Sequence, residues 1–171
     1  MAADDTTRQR LITWGDPLGI REALLSMGGL AFFHAIAEGR VSLPPMMHLM
    51  GFRIISVAEG HIVFEADPAE YHYNPVGVVH GGFAATLLDS AIGCSLLSRL
   101  PEGVSFTTLE IKVSYLRTAT GQTGPMHTET TILSLGRRVA SVESRLLDAS
   151  GRLYATASST CLILRLEPAK E

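Results

Sequence analysis

Between Gly19 and Glu38 the apolar residues Ile20, Leu24, Leu25, Met27, Leu30, Phe33, Ile36 and Ala37 recur at three- and four-residue steps, the period of an amphipathic helix. Gly28-Gly29 interrupts the run and predicts two short helices. A proline-containing loop, Ser42 to Pro45, follows, and then the period changes. Met50 to Ala58 and His61 to Ala66 read as strands flanking a tight turn at Glu59-Gly60. Tyr71 to Gly82, rich in Gly, Pro and Asn, reads as a loop. From Phe83 to Leu100 the only polar side chains are Thr86, Asp89, Ser90, Ser95, Ser98 and Arg99, which predicts a buried central helix. Beyond Pro101 strands are expected near 105–117, 125–135, 138–148 and 152–164, with turns at Gly136-Arg137 and Ala149-Ser150-Gly151. In the first of these, Leu109, Ile111, Val113 and Tyr115 alternate with Glu110, Lys112 and Ser114, so the two sets are expected on opposite faces.

A helix that is apolar all round must be covered all round, and a sheet does this only by curling. The expected class is therefore α+β: a curved antiparallel β-sheet wrapped around a long central helix. Residues 1–45 form an N-terminal helical extension and 46–166 the main domain. Such a sheet has free edges, so two copies are expected to pair edge to edge.

Composition narrows the function. The 171 residues are 46% hydrophobic and 18% charged, enough for a core and unlike a disordered chain. A net charge of -3 with no basic run gives no electrostatic reason to bind nucleic acid. Cys94 and Cys161 lie among apolar residues without zinc-site spacing and read as buried, reduced thiols. The histidines (His34, His48, His61, His72, His80 and His127) are scattered, with no His-Glu-x-x-His pair and no Gly-x-Ser-x-Gly elbow. Neither a metal nor another cofactor is expected. Met1 to Arg10 is polar, without the apolar core of a leader, and no stretch is long and apolar enough to span a membrane, so a cytoplasmic location is expected.

The chemistry-bearing residues cluster where the loop enters the central helix. Asn74-Pro75-Val76-Gly77-Val78-Val79-His80-Gly81-Gly82 leads into it, and Asp89 follows nine residues after His80. On a helix starting near Gly81, Gly82, Thr86, Asp89 and Gly93 line one small, polar stripe. A lone buried carboxylate is costly unless paired. Asp89 is thus either satisfied by backbone, Thr or solvent, or it faces a partly desolvated cleft. Gly81-Gly82 at a helix start offers unpartnered N–H groups at the positive end of the dipole, with no Cβ to obstruct a ligand oxygen. That arrangement suits an oxyanion, although a glycine pair also makes a plain turn. Asn74 could add its amide or simply initiate a turn; His80 could act chemically or orient the loop. Arg137 and Arg138, at a hairpin turn, suit phosphate, as do Arg117 and Lys112, and each also reads as a solvated charge.

The pattern Asn74…Gly77…His80-Gly81-Gly82…Asp89, followed by a strand ending Val113-Ser114-Tyr115-Leu116-Arg117, resembles the hotdog-fold thioesterases. Within them it is most similar to the PaaI-like branch (phenylacetate-pathway and 4-hydroxybenzoyl type). The similarity runs from about Met46 to Leu164. It implies hydrolysis of an acyl-CoA thioester, with Asp89 as general base or nucleophile. The Gly81 N–H polarises the carbonyl with help from Asn74, beside Gly82 and His80. The hydroxyl that supports the carboxylate in the family matches Thr108, with Thr107 as its neighbour. Strict alternation puts Thr108 on the face opposite Leu109 and Ile111, so it reaches the site only across a subunit interface or through a bulge. The resemblance also implies contact of the turn near Gly136 with CoA, and a homodimer or homotetramer with sites between subunits. Two other functions share the fold: hydration or dehydration of acyl thioesters, which needs a histidine such as His80, and acyl-CoA binding without turnover. Phe83, Leu87, Met46, Met47 and Phe52 are candidates for the acyl pocket or for the core.

Overall fold

A computed structural model describes residues 7–165. The expectations for Met1 to Thr6 and for a domain end at residue 166 lie outside the described residues. The chain runs α1 (Pro17–Met27), α2 (Gly29–Ala37), α3 (Pro45–Met50), β1 (Phe52–Ala58), β2 (His61–Ala66), a single 3-10 turn (Glu70–His72), α4 (Gly81–Leu97), β3 (Val104–Tyr115), β4 (Met126–Leu135), β5 (Val139–Asp148) and β6 (Leu153–Arg165). Six antiparallel strands form one sheet in the order β1-β2-β4-β5-β6-β3. The sheet curls on α4, which packs against β2 through β6. Leu87, Leu88, Ala91, Ile92 and Leu96 of α4 are completely buried there.

Local chemistry sets the boundaries. The Leu18 N–H donates to Asp16 Oδ1 at 2.9 Å and Pro17 opens α1, a cap and a first residue that both favour helix initiation. Gly28, at φ 71°, divides α1 from α2 as its position in the run predicts. The start of α2 lies so close to the end of α4 that a Cβ on Gly29 would sit 1.9 Å from the Leu97 carbonyl oxygen. Two elements escape the periodicity argument, α3 and the 3-10 turn. Six and three residues are too few to show a helical period, and both rest on tertiary contacts.

One expectation is corrected. β3 carries a bulge between Thr108 and Glu110, with Leu109 as the extra residue opposite β6. Ile111 and Val113 pack towards the core, but Leu109 is 56% exposed and does not share their face. The inserted residue breaks the strict alternation from which Leu109 was placed inside. β1 and β3 are the free edges.

Candidate active site

The turn into α4 is held from several sides. His80 caps the helix: its Nδ1 accepts from the Gly82 N–H at 2.9 Å and its carbonyl from the Phe83 N–H at 3.0 Å. Its own N–H donates to the His72 carbonyl at 2.8 Å. An accepting Nδ1 places the proton of the neutral ring on Nε2. His80 is thus tied into the turn through its backbone and Nδ1, with Nε2–H as its remaining polar group. The N–H of Gly81, one residue on, has no partner among the described residues and lies at the positive end of α4. The ring of Tyr115 lies against Gly81, with atoms 3.0–3.2 Å from where a Cβ would start, so close an approach that only glycine fits without displacement.

Asn74 also has a defined orientation. Its Oδ1 accepts from the N–H groups of Val76 at 3.0 Å and Val78 at 3.4 Å, closing the loop around Gly77, whose φ is 79°. The side-chain carbonyl is thus occupied, and the NH2 end is left to donate.

Asp89 sits part-buried on the α4 face that meets β3. Thr108 Oγ1 donates to Asp89 Oδ1 at 3.1 Å. The bulge at Leu109 is what turns Thr108 inward, so this contact forms within one chain. Thr86, the other hydroxyl on the stripe, donates instead to the Gly82 carbonyl at 2.8 Å. Further along, the Phe106 ring fills the space a Gly93 side chain would need. Two thiols lie near the carboxylate. Burial, with the charge of Asp89 adding, pushes the Cys94 thiol up to about 12. Burial raises Cys161 as well, with the Ser159 hydroxyl opposing. Neither supplies a thiolate near neutral pH, so the carboxylate is the candidate reactive group.

These residues fall into two clusters, one at each end of the stripe on α4. Gly81 and Asp89 are eight residues apart on one helix, and at 1.5 Å per residue they are separated by about 12 Å. A single carbonyl cannot touch both within one chain. A pocket of about 280 Å³ opens at the Gly81 end, lined by His80, Gly81, Phe83, Tyr115, Arg117 and Tyr154 among others. A second, of about 360 Å³, lies on the other side of His80, between Gly82, Phe83, Thr86 and the Tyr71–Tyr73 segment.

The cations are dispersed. Arg117 lines the first pocket and donates through Nη1 to the Leu153 carbonyl at 2.6 Å. Lys112 shares the outer face of the sheet with Glu143 and Arg145. Arg137 and Arg138 are exposed at the β4–β5 turn. Met126, at the other end of β4, lines the Gly81 pocket, so the turn is about 30 Å away along the strand. Of the apolar candidates, Met47, Phe52, Phe83 and Leu87 are buried in the core and Met46 is exposed; Phe83 borders both pockets. Tyr115 enters the sequence reading only as part of the strand-end motif, and Tyr154 and His72 have no role in it. A glycine at the helix start facing an aromatic strand end was the available signal for Tyr115. Among the described residues no group of three or more His, Cys, Asp or Glu could hold a metal ion, and no helix is long and apolar enough to cross a membrane.

Known proteins share the sequence family and the fold. The family model of the thioesterase superfamily matches residues 76–155, the span from the loop before α4 to β6. A protein of Saccharolobus solfataricus bearing an esterase name is 30% identical over 131 residues, 77% of this chain and 91% of its own length. Human acyl-coenzyme A thioesterase 13 is 30% identical over 66 residues, 39% of this chain and 46% of that enzyme. The crystal structure of a phenylacetic acid degradation-related thioesterase from Ralstonia eutropha superposes with a TM-score of 0.69 at 29% identity, covering 76% of this chain and 98% of that one. With the family model matching from the loop before α4 to β6, a relative 30% identical over most of both chains and a fold shared with a solved thioesterase, the chain belongs to the hotdog thioesterase superfamily, a family of thioester hydrolases.

Proposed function

We propose that the chain hydrolyses acyl-CoA thioesters to a free acid and CoA, with Asp89 as the reacting carboxylate. The observation that carries this reading is the Thr108–Asp89 hydrogen bond, which holds one carboxylate oxygen on the α4 face next to a free sheet edge and, among the described residues, leaves the other unengaged. Asp89 acts either as general base on a water or as nucleophile on the thioester carbon. In the first case water adds to the carbonyl, its proton passes to the carboxylate, and the C–S bond breaks as the thiolate leaves. The Gly81 N–H and the Asn74 amide receive the negative charge that develops on the carbonyl oxygen. A thiolate is a good leaving group, so no strong general acid is required.

The 12 Å between the half-sites is resolved by a second copy. Antiparallel pairing of β3 with β3 reverses the direction of α4 between copies. Asp89 and Thr108 of one copy then approach Gly81, Gly82 and Asn74 of the other. The same reversal carries Arg137 and Arg138 of one copy towards the helix entrance of its partner, where they can pair with CoA phosphates. The assembly is a homodimer, or two dimers doubled into a homotetramer, and no nucleic acid or membrane partner enters. The enzyme acts in the cytoplasm, a reading supported by two free thiols among the described residues. Residues 1–45 serve as an extension to the catalytic domain, 46–166.

Hydration chemistry is less well supported, because the Nδ1 of His80 is engaged by the Gly82 N–H. The test is free-thiol release from acetyl-, hexanoyl-, phenylacetyl- and 4-hydroxybenzoyl-CoA. Turnover of at least one of them with equimolar acid and thiol supports the reading. Hydration of an enoyl-CoA without thiol release, or binding without turnover, contradicts it.

A further inference from the structure

The bulge that turns Thr108 towards Asp89 is itself held in place, and the group holding it lies on the neighbouring strand. Ser159 of β6 is 4% exposed, and its hydroxyl donates to the Glu110 carbonyl at 2.7 Å. Glu110 is the residue immediately after the bulge. On the other face of the sheet Thr160 Oγ1 donates to Glu110 Oε1 at 2.8 Å. Glu110 is therefore gripped at its backbone from inside and at its carboxylate from outside by two consecutive hydroxyl residues. The Cys161 thiol lies 3.7 Å from the Ser159 hydroxyl, and Cys161 is the register partner of Thr108.

An inserted residue can be lost by a one-residue slip, which turns every side chain on one side of it to the other face. Were Leu109 to rejoin the ladder, Leu109 would face α4 and Thr108 would face outward. Asp89 would lose its hydroxyl donor and gain an apolar neighbour. The register that keeps Thr108 inside is the one in which Ser159 meets the Glu110 carbonyl.

We propose that Ser159 is a positioning residue for the reaction: it pins the β3 bulge, and the pinned bulge aims Thr108 at Asp89. This rests on the reading of Asp89 as the reacting carboxylate. Thr160 is the outer half of the same clamp. A serine that merely completes the sheet would cost stability when removed but would act independently of Thr108.

The test is a double-mutant cycle on kcat for a turned-over acyl-CoA, using Ser159→Ala, Thr108→Val and the double variant, with a crystal structure of Ser159→Ala. The clamp predicts that Ser159→Ala lowers kcat about tenfold with little change in KM, yet adds less than about twofold on a Thr108→Val background. In the crystal the bulge has left Leu109, and Thr108 Oγ1 no longer reaches Asp89. Equal losses in both backgrounds overturn the proposal. So does an unchanged Thr108–Asp89 contact in the crystal. Should Ser159→Ala fail to fold, Thr160→Val on the exposed face takes its place, with the same coupling expected at smaller size and additivity again contradicting it. If the wild type cleaves no thioester, the proposed function fails, while the crystal structure still decides whether Ser159 holds the bulge.

Discussion

A carboxylate on a greasy helix needs a reason, and at Asp89 the reason is Thr108. The sequence makes Asp89 conspicuous, because it is the only carboxylate between Phe83 and Leu100. It does not show that Thr108 faces it. Period-2 logic points Thr108 outward, and only the pairing of β3 with β6 reveals the inserted Leu109. A bulge is a property of two strands, and so is invisible in either alone. Gly81 shows the converse. Its role at the helix entrance is legible locally, whereas its need for glycine comes from the distant Tyr115 ring. Gly81→Ala should therefore force the ring or the turn to move and misalign the N–H. We expect kcat for thiol release to fall about 10²-fold, the effect of losing one oxyanion donor. An unchanged kcat would remove Gly81 from the oxyanion site.

Among the elements, all six strands and the long helices are readable, and the two shortest helical segments are not. The glycine pair that splits α1 from α2, the buried α4 and the four long strands follow from period and punctuation. α3 and the 3-10 turn do not, yet they wall the second pocket. His72 ties them together: its Nδ1 accepts from the Ala69 N–H at 3.1 Å, and its Nε2 lies 3.0 Å from the Met50 carbonyl. Burial holds the ring below its ordinary value of 6.5, with Arg10 adding to the effect and the Met50 carbonyl opposing it. As pH falls the unfolded chain therefore takes up this proton before the folded one does. The stability contributed by neutral His72 is complete above pH 6.5 and is lost as pH falls from there towards the lower folded value. Thermal melts should show Tm dropping between pH 7.5 and 5.5, with a smaller drop in His72→Gln. An equal drop in both proteins would place the pH sensitivity elsewhere.

At the scale of the whole molecule, one copy carries the two proposed half-sites and a free β3 edge. Helix geometry alone keeps Gly81 and Asp89 about 12 Å apart. That separation could have been computed from the sequence, but its meaning depends on knowing that β3 lies at the edge. The extension is packed into the same body. Gly29 abuts the end of α4, and Arg10 donates to the carbonyls of His48 and Leu49 while stacking 4.1 Å from the Tyr71 ring. These contacts reach the Tyr71–Tyr73 segment beside the second pocket, a link that no motif in residues 1–45 announces. The proposed chemistry nevertheless rests on one group, Asp89. Free-thiol release from the best acyl-CoA substrate, measured for wild type and for Asp89→Asn, tests it most directly, because the substitution keeps the shape and removes the charge. With Asp89 as the reacting carboxylate, kcat falls by at least about a hundredfold in the folded variant, within the range for removing a catalytic base. Equal rates in the two proteins would show that Asp89 is a structural carboxylate and that the chemistry lies elsewhere.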